Sequence, residues 1–190
     1  MLIANVLVYL AQLYFRHTET PLELYGALWP LASGNFKIWQ LVTHMFMHDS
    51  SGFFHILFNM FTLYMFGAQL EDVWGSKRFF NFYMICGIVA GLAQLFFGGS
   101  EGYAVGASGA IMGVLAAFTF LFPNTPLYMM FIPIPIKAKF AIPALMALDL
   151  FGGIAKVNGD NIAHWAHLGG AAAGFILVLI WNKTNRNTFY

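Results

Sequence analysis

Charged side chains are scarce in this chain. Lysine, arginine, aspartate and glutamate together make up 9% of the 190 residues, whereas about 25% is usual in a soluble domain. Apolar residues make up 59%, and the mean hydropathy is +0.69. The chain therefore has too little polar surface to stay dissolved, and its composition predicts a membrane protein.

Cysteine and net charge are also low, and each excludes a class of protein. The single Cys86 lies in an apolar run, which excludes a disulfide framework or a cysteine-rich metal site. The net charge is +1, so the basic surface that binds nucleic acid is missing. At about 20 residues per span, the chain has room for roughly five to seven helices and for no separate soluble domain.

Five uncharged stretches, and one further apolar stretch that contains Asp149, predict six transmembrane helices. The longest stretch is divided at Pro123–Pro126, because proline breaks a helix. The predicted helices lie near residues 2–15, 53–70, 79–97, 107–122, 140–155 and 162–181. We therefore expect an all-α membrane protein with a single domain over residues 1–190. The first helix lacks the basic start of a signal peptide and is expected to be a retained anchor.

The connection between the first two helices is long and rich in apolar residues. It runs from Arg16 to Thr43 and includes Trp29 and Trp39, so we expect it to lie in the membrane interface. The basic residues predict the topology. Six of them lie on one side, namely Lys77, Arg78, Lys137, Lys139, Lys183 and Arg186, against Arg16, Lys37 and Lys156 on the other. This excess predicts that both termini are cytoplasmic.

Polar residues gather at the outer ends of three of these helices, where ionisable groups are costly and usually functional. His55 and Asn59 are four residues apart on one face of the second helix. Ser108 begins the fourth helix, and His164 and His167 begin the sixth. A hydroxyl, imidazoles and a carboxamide at one depth fit the pattern of nucleophile, base and oxyanion donor. Taken singly, each residue could instead start a helix tightly or hydrogen-bond two helices together.

Glycine spacing brings the fourth and sixth helices together. Small residues four apart let helix backbones approach closely in lipid. Such pairs are Gly109 with Gly113 and Gly170 with Gly174. His167 is three residues before Gly170 and therefore lies on the same face of its helix, and Ser108 adjoins Gly109. A hydrogen bond between Ser108 and His167 is therefore geometrically possible.

The polar residues belong to a set of motifs that is highly specific in combination. The motifs are Trp39-x-x-x-Thr43-His44, His44-Met45-Phe46-Met47-His48, His55-Ile56-Leu57-Phe58-Asn59, Gly67-x-x-x-Glu71-x-x-x-Gly75-Ser76, Gly106-Ala107-Ser108-Gly109 and Ala166-His167-x-x-Gly170-x-x-x-Gly174. With them the chain resembles the rhomboid intramembrane serine proteases over essentially its full length. The resemblance implies a six-helix rhomboid-like bundle that uses no cofactor and no metal.

The resemblance also implies roles for single residues. Ser108 is the expected nucleophile and His167 its general base, in a dyad. The Ser108 N–H and the side chains of His55 and Asn59 are expected to hold the oxyanion, and Gly106 belongs to the same group. Structural or gating roles are expected for Trp39, Glu71, Gly109, Gly113, Asp149, Gly170 and Gly174. The expected partners are membrane lipid and the transmembrane helices of other membrane proteins, which would be the substrates.

Three polar residues, Asp149, His44 and His48, have alternative roles. Asp149 could complete a triad, line the substrate entrance or cap a helix; because the family works without a catalytic acid, we assign it a structural or gating role. His44 and His48 are expected to form a polar mouth that admits water, together with Asp49, Ser50 and Ser51, although an ordinary solvated loop is preferred for those three. Their spacing could also suit a metal, but the His-Glu-x-x-His pattern is absent, and few other ligands converge there.

Two positions depart from the common family pattern. Gln40 stands where many members have arginine, which leaves the bracing of the first connection in question. Met112, one turn after Ser108, stands where an aromatic residue often packs on the catalytic imidazole. Since methionine can fill such a space, we expect activity to survive.

Two other functions compete with the protease. One is a non-catalytic relative that binds transmembrane helices, which would usually lack one of the four site residues. The other is a small transporter that uses His44, His48, His55 and Asp149 as a proton or metal path, although its two similar halves are not visible. The compact six-helix form suggests a bacterial cytoplasmic membrane.

Overall fold

The structure is a computed structural model that describes residues 1–16, 21–99, 102–129, 132–155 and 163–184. Its α-helices are α1 (Leu2–Phe15), α2 (Leu22–Gly26), α3 (Gln40–Thr43), α4 (Phe53–Thr62), α5 (Ala68–Trp74), α6 (Ser76–Phe97), α7 (Ser108–Leu121), α8 (Ala138–Ala155) and α9 (His164–Thr184). Short 3-10 turns cover Leu31–Ser33 and His44–Phe46, and two strands follow α7, β1 (Pro126–Met129) and β2 (Ile132–Lys137). Lys156 and Arg186, two of the basic residues that predict the topology, lie outside the described residues.

Long helices stand at all six predicted positions. A π-helical turn, Leu63–Gly67, joins α4 to α5, so the second helix continues past residue 70 to Trp74. It ends at Gly75, whose φ of +77° is open to glycine and strained for other residues. In the described part of the chain, three helical stretches are long and apolar enough to cross a membrane, namely Phe53–Trp74, Ser76–Phe97 and His164–Lys183. Two apolar helices, α1 and α7, are shorter.

The chain is mostly helical, but the all-α prediction is wrong between α7 and α8. There β1 and β2 form an antiparallel hairpin, with Pro126 opposite Lys137 and Leu127 opposite Ile136. Pro133 and Pro135 cannot donate to a helix, whereas each strand of a two-stranded hairpin has an open edge where proline is tolerated. The prolines therefore favour extended chain in the connection between the helices predicted at 107–122 and 140–155.

The core lies between α6, α7 and α9. Phe82, Tyr83, Val114, Phe118 and Val178 are fully buried there. The α7 and α9 backbones touch, because a Cβ added at Gly170 would collide with the carbonyl of Gly109, and one at Gly174 with the carbonyl of Gly113. This contact sets the N-terminal turns of α7 and α9 side by side.

The connection before α4, residues 21–52, is held together by buried polar groups, in contrast to the apolar core between α6, α7 and α9. Gln40 is fully buried, and its Oε1 accepts hydrogen bonds from the N–H groups of Trp29 and Lys37 (3.3 and 3.1 Å). Its Nε2 donates to the carbonyls of Tyr25 and Asn35 (3.3 and 3.1 Å). Gln40 therefore holds this connection together, in the position where many family members have arginine.

Helix α1 is joined to the same region by side-chain hydrogen bonds. The Nε2 of Gln12 donates to Glu23 Oε1 and to the carbonyl of His48, both at 2.8 Å. The Oε1 of Gln12 accepts the His48 N–H at 2.9 Å. The Nε2 of His48 donates to Asn5 Oδ1 at 3.0 Å. Polar residues on one face of α1 thus hold His48 in place.

This region also positions the segment that leads into α7. Leu28 and Ala104 exchange backbone hydrogen bonds of 2.9 Å in both directions. The N–H of Gly106 donates to the carbonyl of His44 at 2.9 Å. The start of α7 is therefore held from one side by residues 28 and 44 and from the other by the glycine contact with α9.

Candidate active site

Ser108 is the first residue of α7 and is half-buried. The first four N–H groups of a helix have no partner within that helix, and the helix dipole makes this end positive. The Ser108 N–H is one of these groups. A hydroxyl at this position is therefore surrounded by donors suited to a developing negative charge.

His167 lies one turn into α9, with its ring against Ser108. Its Nε2 is 2.8 Å from Ser108 Oγ, and its Nδ1 is 2.9 Å from Asp149 Oδ1. An ionised carboxylate only accepts hydrogen bonds, so Nδ1 carries the proton and Nε2 presents its lone pair to the Ser108 hydroxyl. This tautomer is the one that a general base needs.

Asp149 reaches this ring from α8. Its Oδ1 also accepts the Nδ1–H of His164 at 3.1 Å, so it links α8 to the first turn of α9. Its side chain is 15% exposed. From the sequence, a triad was one possible role of Asp149 and a structural or gating role was the prediction; in the structure its carboxylate contacts His167 Nδ1 directly.

His55 lies on the other side of Ser108, in the first turn of α4. The backbone N–H of Asp49 donates to its Nδ1 at 2.9 Å, so Nδ1 is the acceptor and the proton of the neutral ring is on Nε2. A Cβ built at Gly106 would lie 3.1 Å from that Nε2 and 3.5 Å from Ser108 Oγ. The Nε2–H of His55 and the Ser108 hydroxyl therefore border the same small space.

Glycine is required at Gly106 for two reasons. Its φ is +130°, a backbone conformation that residues with a Cβ rarely adopt. A side chain there would also enter the space between His55 and Ser108. The expected place of Gly106 within this group therefore has a steric basis.

Asn59 follows His55 by one turn and is buried. Its Nδ2 donates to the carbonyl of His55 at 2.8 Å, which leaves one N–H of the amide for another acceptor. Its Oδ1 is buried and makes no hydrogen bond among the described residues. The structure thus places Asn59 beside His55 as the spacing predicted.

The polar mouth predicted from His44 and His48 is wrong. The two residues are 4% and 0% exposed, because His44 packs against Gly91 of α6 and His48 against Asn5 and Tyr9 of α1. His44 Nδ1 donates to the carbonyl of Gln40 at 2.7 Å. Burial lowers the pKa of His44 to about 4, and burial with the nearby His55 lowers the pKa of His48 to about 3. Both imidazoles are therefore neutral at pH 7.

The other residues named from the sequence lie in different parts of the molecule. Met112 lines a cavity of about 20 Å³ together with His167 and Asp149, which is room for about one water molecule. Trp39 donates its Nε1–H to the carbonyl of Tyr25 at 3.1 Å. Glu71 is at the opposite end of the α4–α5 helix from the site. Within the part of the chain that the structure describes, no three His, Cys, Asp or Glu side chains meet as metal ligands.

The sequence carried a signal for one of these contacts and none for another. Asp149 was considered for a triad as the only acidic residue well inside a predicted span, and a structural or gating role was preferred. The bracing by Gln40 had no such signal, because its partners are backbone groups of a connection without a repeating pattern.

Comparison with known proteins decides the family. A model of the Rhomboid domain matches residues 35–183, a range that contains all the site residues above. The chain belongs to the rhomboid family. This rhomboid is 32% identical over 141 residues to "Rhomboid protein 1, mitochondrial" of Saccharomyces cerevisiae, covering 72% of the chain and 40% of the relative.

Other relatives show the same pattern of similarity. This rhomboid is 32% identical over 166 residues to "RHOMBOID-like protein 6, mitochondrial" of Arabidopsis thaliana, covering 86% of the chain and 50% of the relative. It is 34% identical over 140 residues to the human "Presenilin-associated rhomboid-like protein, mitochondrial", covering 68% of the chain and 36% of the relative. The chain thus spans half or less of the length of these relatives. These three relatives are named as mitochondrial proteins, so they give no support to the expected location in a bacterial cytoplasmic membrane.

Proposed function

We propose that this rhomboid is an intramembrane serine endopeptidase that cleaves transmembrane helices of other membrane proteins near the outer leaflet. The observation that carries the proposal is the 2.8 Å contact between Ser108 Oγ and His167 Nε2. The nitrogen in that contact is unprotonated because Asp149 holds the proton of His167 on Nδ1. A serine hydroxyl near neutral pH needs such a base in order to attack a carbonyl.

In the first half of the reaction, Ser108 Oγ attacks the scissile carbonyl carbon while its proton passes to His167 Nε2. The carbonyl oxygen becomes the oxyanion of a tetrahedral intermediate. When the C–N bond breaks, His167 returns that proton to the leaving amine. The product left on the enzyme is an ester between Ser108 and the acyl half of the substrate.

The oxyanion is proposed to lie between α7 and α4. The Ser108 N–H and the Nε2–H of His55 are donors on its two sides, and the second N–H of Asn59 is a third. One such donor typically contributes on the order of 10²–10³ to the rate. The tautomer of His55 supports this role, since its protonated nitrogen borders the space beside Ser108 Oγ.

In the second half, water hydrolyses the ester. His167 Nε2 takes a proton from the water as its oxygen attacks the acyl carbon, and the same proton then returns to Ser108 Oγ as the bond to serine breaks. The cavity beside His167 and Asp149 has room for about one water molecule. Water admission through His44 and His48 forms no part of this proposal, because both are buried.

We place the site in a single membrane domain over residues 1–190. α1, α7 and α8 are proposed as spans in addition to the three long apolar helices, with both termini on the cytoplasmic side. Membrane lipid surrounds the bundle. A substrate helix must unwind locally to expose its carbonyl, so helix-weakening residues such as glycine and proline are expected near the cleaved bond.

The test is cleavage of a single-span reporter by the purified protein in liposomes. The parent chain should yield two fragments, and Ser108→Ala should yield none while it keeps the helical content and thermal midpoint of the parent. A fluorophosphonate probe should label the parent at Ser108. Equal cleavage by Ser108→Ala would overturn the nucleophile. Reporter binding without cleavage or labelling would instead indicate the non-catalytic helix binder.

A further inference from the structure

The carboxylate of Asp149 accepts hydrogen bonds from two imidazoles in the first turn of α9, and one of them is the ring that contacts Ser108. We propose that Asp149 is a positioning residue for His167, which makes the reacting group a Ser108–His167–Asp149 triad in this chain. This inference rests on the proposed serine protease function. It replaces the structural or gating role expected from the family.

The three side chains lie in the order that a triad requires. Asp149 Oδ1 is 2.9 Å from His167 Nδ1, and His167 Nε2 is 2.8 Å from Ser108 Oγ. A carboxylate on Nδ1 holds the imidazole in one tautomer and one orientation, and it stabilises the imidazolium that forms when the base takes its proton. Each residue comes from a different helix, so only the packed bundle assembles the group.

The surroundings of Asp149 favour positioning over a place on an open entrance. Its side chain and that of His167 are 15% and 12% exposed, and the adjoining cavity is lined by apolar residues such as Met112, Met146 and Leu150. A carboxylate in such a place is stable only when its charge is hydrogen-bonded. The imidazole N–H groups of α9 supply those bonds, so the carboxylate and the base depend on each other.

His164 makes a control possible. It donates to the same oxygen at 3.1 Å from one turn before His167. If Asp149 only fastened α8 to α9, loss of either histidine contact would weaken the molecule in the same way. If Asp149 orients the base, the contact with His167 carries the effect on the reaction and that with His164 does not.

The first experiment measures kcat and KM of reporter cleavage for the parent, Asp149→Asn, His164→Asn and Asp72→Asn. Asp149→Asn preserves shape but offers an N–H to Nδ1, so kcat should fall by about 10²–10⁴-fold while KM stays within about threefold. His164→Asn and the exposed Asp72→Asn should keep kcat within about threefold of the parent. Ser108→Ala sets the zero of the assay.

The second experiment reads the tautomer of the parent by ¹⁵N NMR with labelled histidine at pH 7.5. His167, assigned by its loss in His167→Gln, should be protonated on Nδ1 and unprotonated on Nε2. This measurement needs neither activity nor a folded Asp149 variant, so it separates failure of the triad from failure of the protease proposal. A reporter that the parent does not cleave would count against the protease alone.

Any one of three results would overturn the inference. The first is an Asp149→Asn protein that keeps kcat within about threefold of the parent. The second is a His167 ring that is protonated on Nε2. The third is an equal loss of kcat in His164→Asn and Asp149→Asn with equal loss of thermal stability, which would make the carboxylate a structural link between helices.

Discussion

Two imidazoles border Ser108, and they present opposite chemistry to it. His167 has a carboxylate on Nδ1 and therefore shows Ser108 a lone pair on Nε2. His55 has the Asp49 N–H on Nδ1 and therefore shows the site an Nε2–H. The partner of the distant nitrogen thus decides which ring can act as a base and which as a donor.

The supports of these two rings differ as well. His167 rests on α7 and α9, which meet through glycines and an apolar core. His55 rests on a connection held by buried polar side chains, with Gln40 and His48 fully enclosed. Apolar packing contributes stability that does not depend on pH, whereas buried neutral imidazoles lower the stability of the fold as the pH falls. We call the α7–α9 packing around His167 the base side and the connection that supports His55 the donor side. The two sides should therefore lose stability under different conditions.

The largest effect is expected from removing the base. His167→Ala should lower kcat by at least about 10³-fold, because no other described group contacts Ser108 Oγ as a base. Reporter cleavage measures the loss, and the thermal midpoint should change little. Parental cleavage by this variant would show that the base lies elsewhere.

Removing the donor on the other side should cost less. His55→Ala should lower kcat by about 10²–10³-fold with little change in KM, as expected for a group that bonds the oxyanion only in the transition state. Asp49→Ala is the matched control. It keeps the backbone N–H that sets the tautomer of His55, so its kcat should stay near that of the parent. A rise in KM alone for His55→Ala would make His55 a substrate-binding residue instead.

Acid should weaken the donor side first. The pKa of His44 is lowered by burial to about 4 and that of His48 to about 3, while both titrate near 6.5 when unfolded. Between those values the unfolded chain binds protons that the folded chain does not, so stability is full above pH 6.5 and falls below it. At pH 5 each residue should cost about 2 kcal/mol of folding free energy.

Thermal unfolding in detergent at pH 7.5 and pH 5 measures this loss. The double replacement His44→Gln with His48→Gln should flatten the dependence on pH, even if the variant is less stable at both values. An unfolding midpoint for the parent that is the same at pH 5 and pH 7.5 would contradict the burial of these imidazoles.

The smallest effect is expected at the brace. Gln40→Ala leaves the N–H groups of Trp29 and Lys37 and the carbonyl of Asn35 without their side-chain partner, which should cost about 1–3 kcal/mol of stability. The carbonyl of Tyr25 also loses the Gln40 bond but keeps the Nε1–H of Trp39. Chemical denaturation measures it. Gln69→Ala is the control, since Gln69 is exposed and bonds only the carbonyl one turn before it. Equal stability of the two variants would mean that the connection does not need Gln40.

Much of the helical framework could be predicted, because a membrane helix is an apolar run that ends at charged or helix-breaking residues. The run of α1 was predicted at residues 2–15 and observed at Leu2–Phe15. The hairpin was missed because Pro133 and Pro135 show that a helix is unfavourable there. They do not show whether the connection is an irregular loop or a pair of strands. The burial of His44 and His48 was missed because a connection can either cover its polar residues or expose them, and the pattern is the same in both cases.

The amino-acid sequence alone determined that the chain is a membrane protein and where its long helices run, because burial in lipid acts on each segment separately. Only the tertiary structure decided the chemistry of the polar residues around Ser108. The proton of His167 is placed by Asp149 from another helix, and that of His55 by the backbone of a preceding turn. A tautomer depends on the partner of a single nitrogen atom at about 2.9 Å, and such a partner is supplied by packing.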